Sequence, residues 1–137
     1  MSATVTDAVI QAHTRELKLP AVAREYTGLA RHAAADGWRF EDYLKELLEA
    51  EIRSRRDHVA KARIHEAHFP DIKTLDQINW DAMAGVSRPA VAELATCGFI
   101  PEARDVVIAG PIGTGKTHLA IALGVEAARR RFRVVFI

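Results

Sequence analysis

Eight consecutive residues, Gly110-Pro111-Ile112-Gly113-Thr114-Gly115-Lys116-Thr117, fit the pattern G-x-x-x-x-G-K-[ST] in full. This is the Walker A form of the P-loop, and its chemistry is the binding of a nucleoside triphosphate. The loop must wrap around phosphate oxygens with its backbone N–H groups pointing inward. Glycines at 110, 113 and 115 permit the dihedrals and the close approach this needs. A helix starting at the loop's end adds its free N–H groups and its positive dipole end. Lys116 can reach the β- and γ-phosphates as a compact charge. The Thr117 hydroxyl can ligate the magnesium ion that bridges them. His118 follows directly and closes the candidate ATP-binding stretch Gly110–His118. It is also placed to pack or cap the helix.

Such a loop is expected between a buried strand and an amphipathic helix. Asp105-Val106-Val107-Ile108-Ala109 is short, β-branched and ended by glycine, which predicts a fully buried strand. Residues 117–131 read as a helix and 133–137 as a second strand, completing a βαβ unit. Upstream the pattern is helical. Val5, Ala8, Val9 and Ala12 mark one face of a helix from about Thr4 to Leu17. Pro20 suits the first turn of a second helix, whose buried face is Val22, Tyr26, Leu29 and Ala33 and whose cap is Gly37. A third helix runs from about Phe40 to Ala67, with Tyr43, Leu44, Leu47, Leu48 and Ile52 as its apolar stripe. Glu41–Lys45, Glu49–Arg53 and Glu51–Arg55 are acid-before-base pairs four apart on it. A short helix over roughly Pro89 to Thr96 has Ser87 or Arg88 near its cap. The expected organisation is a helical domain over 1–69, a linker over 70–88 whose residues 70–81 read as an extended connector with anchoring apolar residues, and the start of a P-loop domain over 89–137.

Composition narrows the class. The chain has 137 residues, is 49% hydrophobic and 27% charged, and carries 19 Lys+Arg against 18 Asp+Glu. That is an ordinary globular balance and not a globally basic nucleic-acid binder. The single cysteine, Cys97, excludes an intrachain disulfide and suits a reducing cytoplasm. No apolar run approaches a bilayer span, and the amino terminus lacks a basic stretch followed by an apolar core. The expectation is therefore a cytoplasmic protein without membrane association.

Three stretches resemble the IstB-like ATP-binding family. They are Phe69-Pro70-Asp71-Ile72-Lys73-Thr74-Leu75-Asp76, Leu94 to Ile100, and Val107 through the loop to Gly124. Members of that family are AAA+ ATPases that help insertion sequences transpose, and they are similar to DnaC-type helicase loaders. The resemblance implies an α/β fold: an all-helical N-terminal domain followed by the first βαβ unit of a P-loop AAA+ domain. It implies ATP and magnesium as cofactors, a transposase and DNA as partners, and assembly into homo-oligomers. Gly110, Gly113, Gly115, Lys116 and Thr117 carry over as the phosphate and magnesium loop. The family pattern continues beyond Ile137, so the resemblance implies a truncated chain without the Walker B acids, the sensors or the arginine finger. No complete catalytic set is expected here, because phosphoryl transfer needs those groups too. In AAA+ sheets the first two strands are not neighbours, so 105–137 is expected to be poorly stable by itself. A non-hydrolysing interaction module, an inactive remnant and a helicase-loader fragment are the alternative readings. A small-molecule kinase is a weaker one, since nothing in the first 100 residues supports it.

Other residues have plain readings beside functional ones. Arg53, Arg55, Arg56, Lys61 and Arg63 could touch DNA phosphates, but residues 1–69 hold eleven bases and eleven acids, and a solvated helix face is the simpler reading. Arg129, Arg130, Arg131 and Arg133 suit the negative end of the loop helix. His58, His65 and His68 lie close in sequence without a cysteine to complete a metal set. Cys97 reads as a small core residue, and Trp38 and Trp80 as packing anchors.

Overall fold

The computed structural model describes residues 4–137. Residues 1–3, part of the amino terminus read as lacking a leader, lie outside the described residues. Five α-helices follow one another: α1 (Val5–Glu16), α2 (Pro20–Asp36), α3 (Phe40–Glu66), α4 (Arg88–Ala95) and α5 (Lys116–Arg129). The chain divides into two compact units, one ending at Asp57 and one beginning at His58.

The first unit is a helical arrangement tied by polar groups. Thr4 and Asp7 form a capping box at the start of α1, with the Thr4 backbone N–H on Asp7 Oδ2 at 3.0 Å and the Asp7 N–H on Thr4 Oγ1 at 3.1 Å. The Tyr26 hydroxyl of α2 donates to Asp7 Oδ1 at 2.8 Å, and the Tyr43 hydroxyl of α3 donates to the Tyr26 carbonyl at 2.8 Å. Pro20 opens α2, and Gly37 closes it at φ +65°. The unpaired N–H groups of the first turn of α2 are met from α3. Glu51, buried, accepts from Ala21 N at 2.8 Å and from Val22 N at 3.0 Å.

The expected face of α2 holds: Val22, Tyr26, Leu29 and Ala33 are all half-buried. That of α1 does not. Val5, Ala8, Val9 and Ala12 are exposed, and Thr14 is the buried residue. A weakly patterned 12-residue helix rotated to put Asp7 under Tyr26. Along α3, Leu47 is buried with Ala50, while Leu44, Leu48 and Ile52 are exposed. Of the three expected ion pairs, Glu51–Arg55 forms at 3.6 Å. Glu41 pairs instead with Arg39 at 3.4 Å and Lys45 with Glu46 at 3.5 Å.

In the second unit α5 is the axis. Leu119, Ile121, Ala122, Leu123, Val125, Ala127 and Ala128 are all buried on it. The linker over 70–88, expected to be extended over 70–81, contains two single 3₁₀ turns, Leu75–Gln77 and Trp80–Ala82. Their Ile78 and Met83 join Val91 of α4 and Leu119 and Leu123 of α5 in one apolar core. Ser87 caps α4, accepting from Ala90 N at 3.3 Å. The Arg88 guanidinium lies 5.1 Å above the Trp80 ring. Gly124 is required by packing: a Cβ there would meet the Phe69 ring at 2.9 Å.

The two expected strands do not form. Residues 105–109 and 133–137 are irregular, and among the described residues there is no strand. The regular elements among the described residues are all helical, and the expected βαβ unit is not formed there. Extended chain becomes a strand only by pairing, and among the described residues neither segment is paired in a ladder. Phe136 N–H does donate to the Ala67 carbonyl at 2.8 Å, a single bond that docks the segment without making a sheet. Val106 and Ile108 turn inward while Val107 is exposed, so 105–109 is half covered and not fully buried.

Removing the Glu51 carboxylate leaves two donors of α2 without their acceptor. Glu51→Ala is expected to lower the unfolding free energy by about 2 kcal/mol, read from urea titration followed by circular dichroism. Asp7 has its pKa held below 3.8, first by the Thr4 hydroxyl, then by the Thr4 backbone and the Tyr26 hydroxyl. A depressed folded value stabilises above the unfolded one, and that contribution is lost as pH falls through the folded value. Asp7→Asn is therefore expected to flatten the acid limb of the stability curve below about pH 4. Unchanged acid-limb steepness in thermal melts would contradict the assignment.

Candidate functional site

The loop from Gly110 to Gly115 leads straight into α5, whose first residue is Lys116. Gly113 has φ +79° and Gly115, the N-cap, has φ +90°. Both lie in the left-handed region, where a side chain is strained. At Gly110 a Cβ would meet Thr114 Oγ1 at 3.6 Å and Lys116 Cδ at 3.8 Å, ordinary contact distances.

Side chains curl the loop on itself. Thr114 Oγ1 donates to the Pro111 carbonyl at 2.8 Å. Lys116 Nζ donates to the Gly110 carbonyl at 2.7 Å and to the Pro111 carbonyl at 2.5 Å. The ammonium thus lies over the backbone of its own loop. Ile112 is fully exposed at the tip. Thr117 is exposed in the first turn of α5. His118 reaches elsewhere: its Nε2 lies 3.2 Å from the Thr74 carbonyl. A carbonyl can only accept, so that nitrogen carries the proton.

Two residues at the loop's base escaped the pattern reading. Met83 Cγ and Sδ would lie 3.7 Å from a Cβ on Gly115, so this buried side chain packs directly under the N-cap. Thr74 anchors His118. Thr74-Leu75-Asp76-Gln77 carries the T-x-x-Q capping signature, and Gln77 Oε1 accepts from Thr74 N at 3.1 Å. That signature was the available signal for a turn in this segment.

Some of the remaining candidates have local partners. Glu126 binds both Arg129, at 3.0 Å, and Arg130, at 2.7 Å. Arg63 pairs with Glu66 at 2.9 Å. Cys97 is buried at φ +61°, and burial pushes its thiol pKa up, the opposite of what a nucleophile needs. His65 and His68 line a cavity of about 430 Å³ with Lys61, Ile64, Phe69 and Ile72. Among the described residues no three metal-ligating side chains gather into a group that could hold an ion. No described helix is long and apolar enough to cross a membrane.

The family description "IstB-like ATP binding protein" matches residues 12–137, which includes the whole loop. The chain belongs to the IstB-like ATP-binding protein family. Among similar proteins is the "Insertion sequence IS21 putative ATP-binding protein" of Pseudomonas aeruginosa, 35% identical over 120 residues, 88% of this chain and 45% of that one. The "Insertion sequence IS5376 putative ATP-binding protein" of Geobacillus stearothermophilus is 33% identical over 128 residues, 93% of this chain and 51% of that one. A Sinorhizobium fredii "Putative insertion sequence ATP-binding protein" is 29% identical over 134 residues, covering 97% of this chain and 45% of its own length. The chain spans about half the length of the curated relatives it matches. Membership of this family implies a P-loop fold, although the β unit of that fold is not formed among the described residues.

The left-handed backbone at the N-cap sets a cost for any side chain there. Gly115→Ala is expected to destabilise the second unit by about 1–2 kcal/mol, read as a lower thermal midpoint. A midpoint equal to the parent's would mean the loop relaxes out of φ +90° freely.

Proposed function

We propose that this chain binds ATP through Gly110–Thr117, as part of an ATP-binding helper of insertion-sequence transposition. The observation that carries the reading is the loop itself. A glycine-rich turn with two left-handed residues delivers the chain into the open N-terminus of a long helix, with Lys116 lying across its mouth. Such a turn can direct consecutive backbone N–H groups at anionic oxygens, and the helix end favours negative charge. Lys116 would exchange two carbonyl acceptors for phosphate oxygens. Thr117, exposed in the first helical turn, would hold magnesium through its hydroxyl. That ion would neutralise phosphate charge when bound. His118 serves as an anchor to Thr74 and keeps the first turn of α5 in place.

The relatives are named for insertion sequences and for ATP. On that basis the whole-length protein works on DNA beside a transposase, as a homo-oligomer in the cytoplasm. Turnover of ATP belongs to residues that the present loop does not supply.

Isothermal titration of the purified chain with Mg-ATP tests the reading. Lys116→Ala is expected to weaken binding by about a hundredfold or more, because the charged donor to the phosphates is gone. Its helical content should be unchanged. Equal affinity of parent and variant would overturn the assignment.

A further inference from the structure

One helix of the first unit carries an apolar ridge at its surface. Phe40, Leu44, Leu48 and Ile52 of α3 are 90%, 56%, 49% and 48% exposed, and they recur every four residues. A row at this spacing is the i±4n ridge by which helices most commonly interlock, crossing at about −50°. The sides of the ridge differ. On one side lie Tyr43, Leu47 and Glu51, turned into the unit. On the other lie Glu41, Lys45, Glu49 and Arg53, all exposed. That second row alternates acid, base, acid, base.

The alternation distinguishes the ways in which two copies can meet. A twofold axis across the helix makes the copies antiparallel and brings both charged rows to the same flank. Residues whose numbers sum to 94 then face each other: Glu41 meets Arg53 of the second copy, and Lys45 meets Glu49 of the second copy. Every pair is unlike in charge. The same axis, within a residue, sets Phe40 against Ile52 and Leu44 against Leu48. A parallel pairing puts the charged rows on opposite flanks, where they cannot meet. The ridge and the charge row are therefore self-complementary in the antiparallel direction, and a second copy of the chain fits both.

We infer that α3 is a self-association surface, on which a second copy of this chain packs its own α3 antiparallel through Phe40, Leu44, Leu48 and Ile52. This gives a surface to the self-association proposed above and does not depend on nucleotide binding. Near the crossing, Lys45–Glu49 occurs twice by symmetry and supplies the specificity. Glu41–Arg53 lies toward the ends, where crossed helices diverge, and contributes less.

Sedimentation velocity on the full chain tests this. A concentration-dependent monomer–dimer equilibrium is expected, with dimer evident by about 100 µM. Leu44→Glu with Leu48→Glu should leave monomer only, with parental helical content, since both positions are exposed. Lys45→Glu and Glu49→Lys should each weaken the dimer by about tenfold, because each turns two attractions into two repulsions. Combined, they restore unlike pairs and should return the affinity to near the parent's. A parent that stays monomeric, a dimer that survives the double leucine change, or a charge swap without restoration would each overturn the inference. A partner of other sequence on this ridge would show as the first of these. Lys116→Ala should dimerise as the parent does, so failure of the ATP reading and failure of this one are read separately.

Discussion

Helix α5 is apolar on nearly every side, and the second unit exists to cover it. A helix buried all round cannot stand in water, so other segments must wrap it. The 3₁₀ turns at 75–82, helix α4 and the Phe69 ring each take one side. Because the helix is held along its length, its first turn is held too. Met83 under Gly115 and Thr74 against His118 fix the place where the loop arrives. The loop owes its geometry to glycines, but its position comes from hydrophobic burial a turn or more away.

The first unit solves a different problem. Its buried apolar residues among those described are few, Ala21, Leu47 and Ala50, and only Leu47 is large. Such a core supplies little by itself. Polar bridges between helices take over: Tyr26 to Asp7, Tyr43 to the Tyr26 carbonyl, and Glu51 to the opening of α2. These are directional, so they fix rotation and register where packing alone would leave both loose.

That difference explains what could be read from the residues. The loop was legible because its chemistry demands particular residue types at fixed spacing. Helix bounds were legible because Pro20, Gly37 and Ser87 act locally. The buried face of α1 was not, because Asp7 and Tyr26, not the valines, decide its rotation. The strands failed for a related reason. Val106–Ala109 and Val134–Ile137 have strand composition, but a strand is a relation between two segments, and composition names only one of them. The apolar residues of 70–81 do anchor it, Ile78 in the core and Leu75 and Trp80 against it, but the chain turns there, as the capping signature at Thr74–Gln77 dictates.

The ammonium of Lys116 already has company. It shares the carbonyl oxygens of Gly110 and Pro111, so its charge is never bare. A newcomer has to compete with those oxygens before it gains anything from the lysine. Hydroxyls and amides offer acceptors no stronger than a carbonyl, and they would leave the balance where it stands. Only an oxygen that carries formal negative charge offers a better partner. On the ATP-binding reading proposed above, the loop would sort visitors by charge before it sorts them by shape.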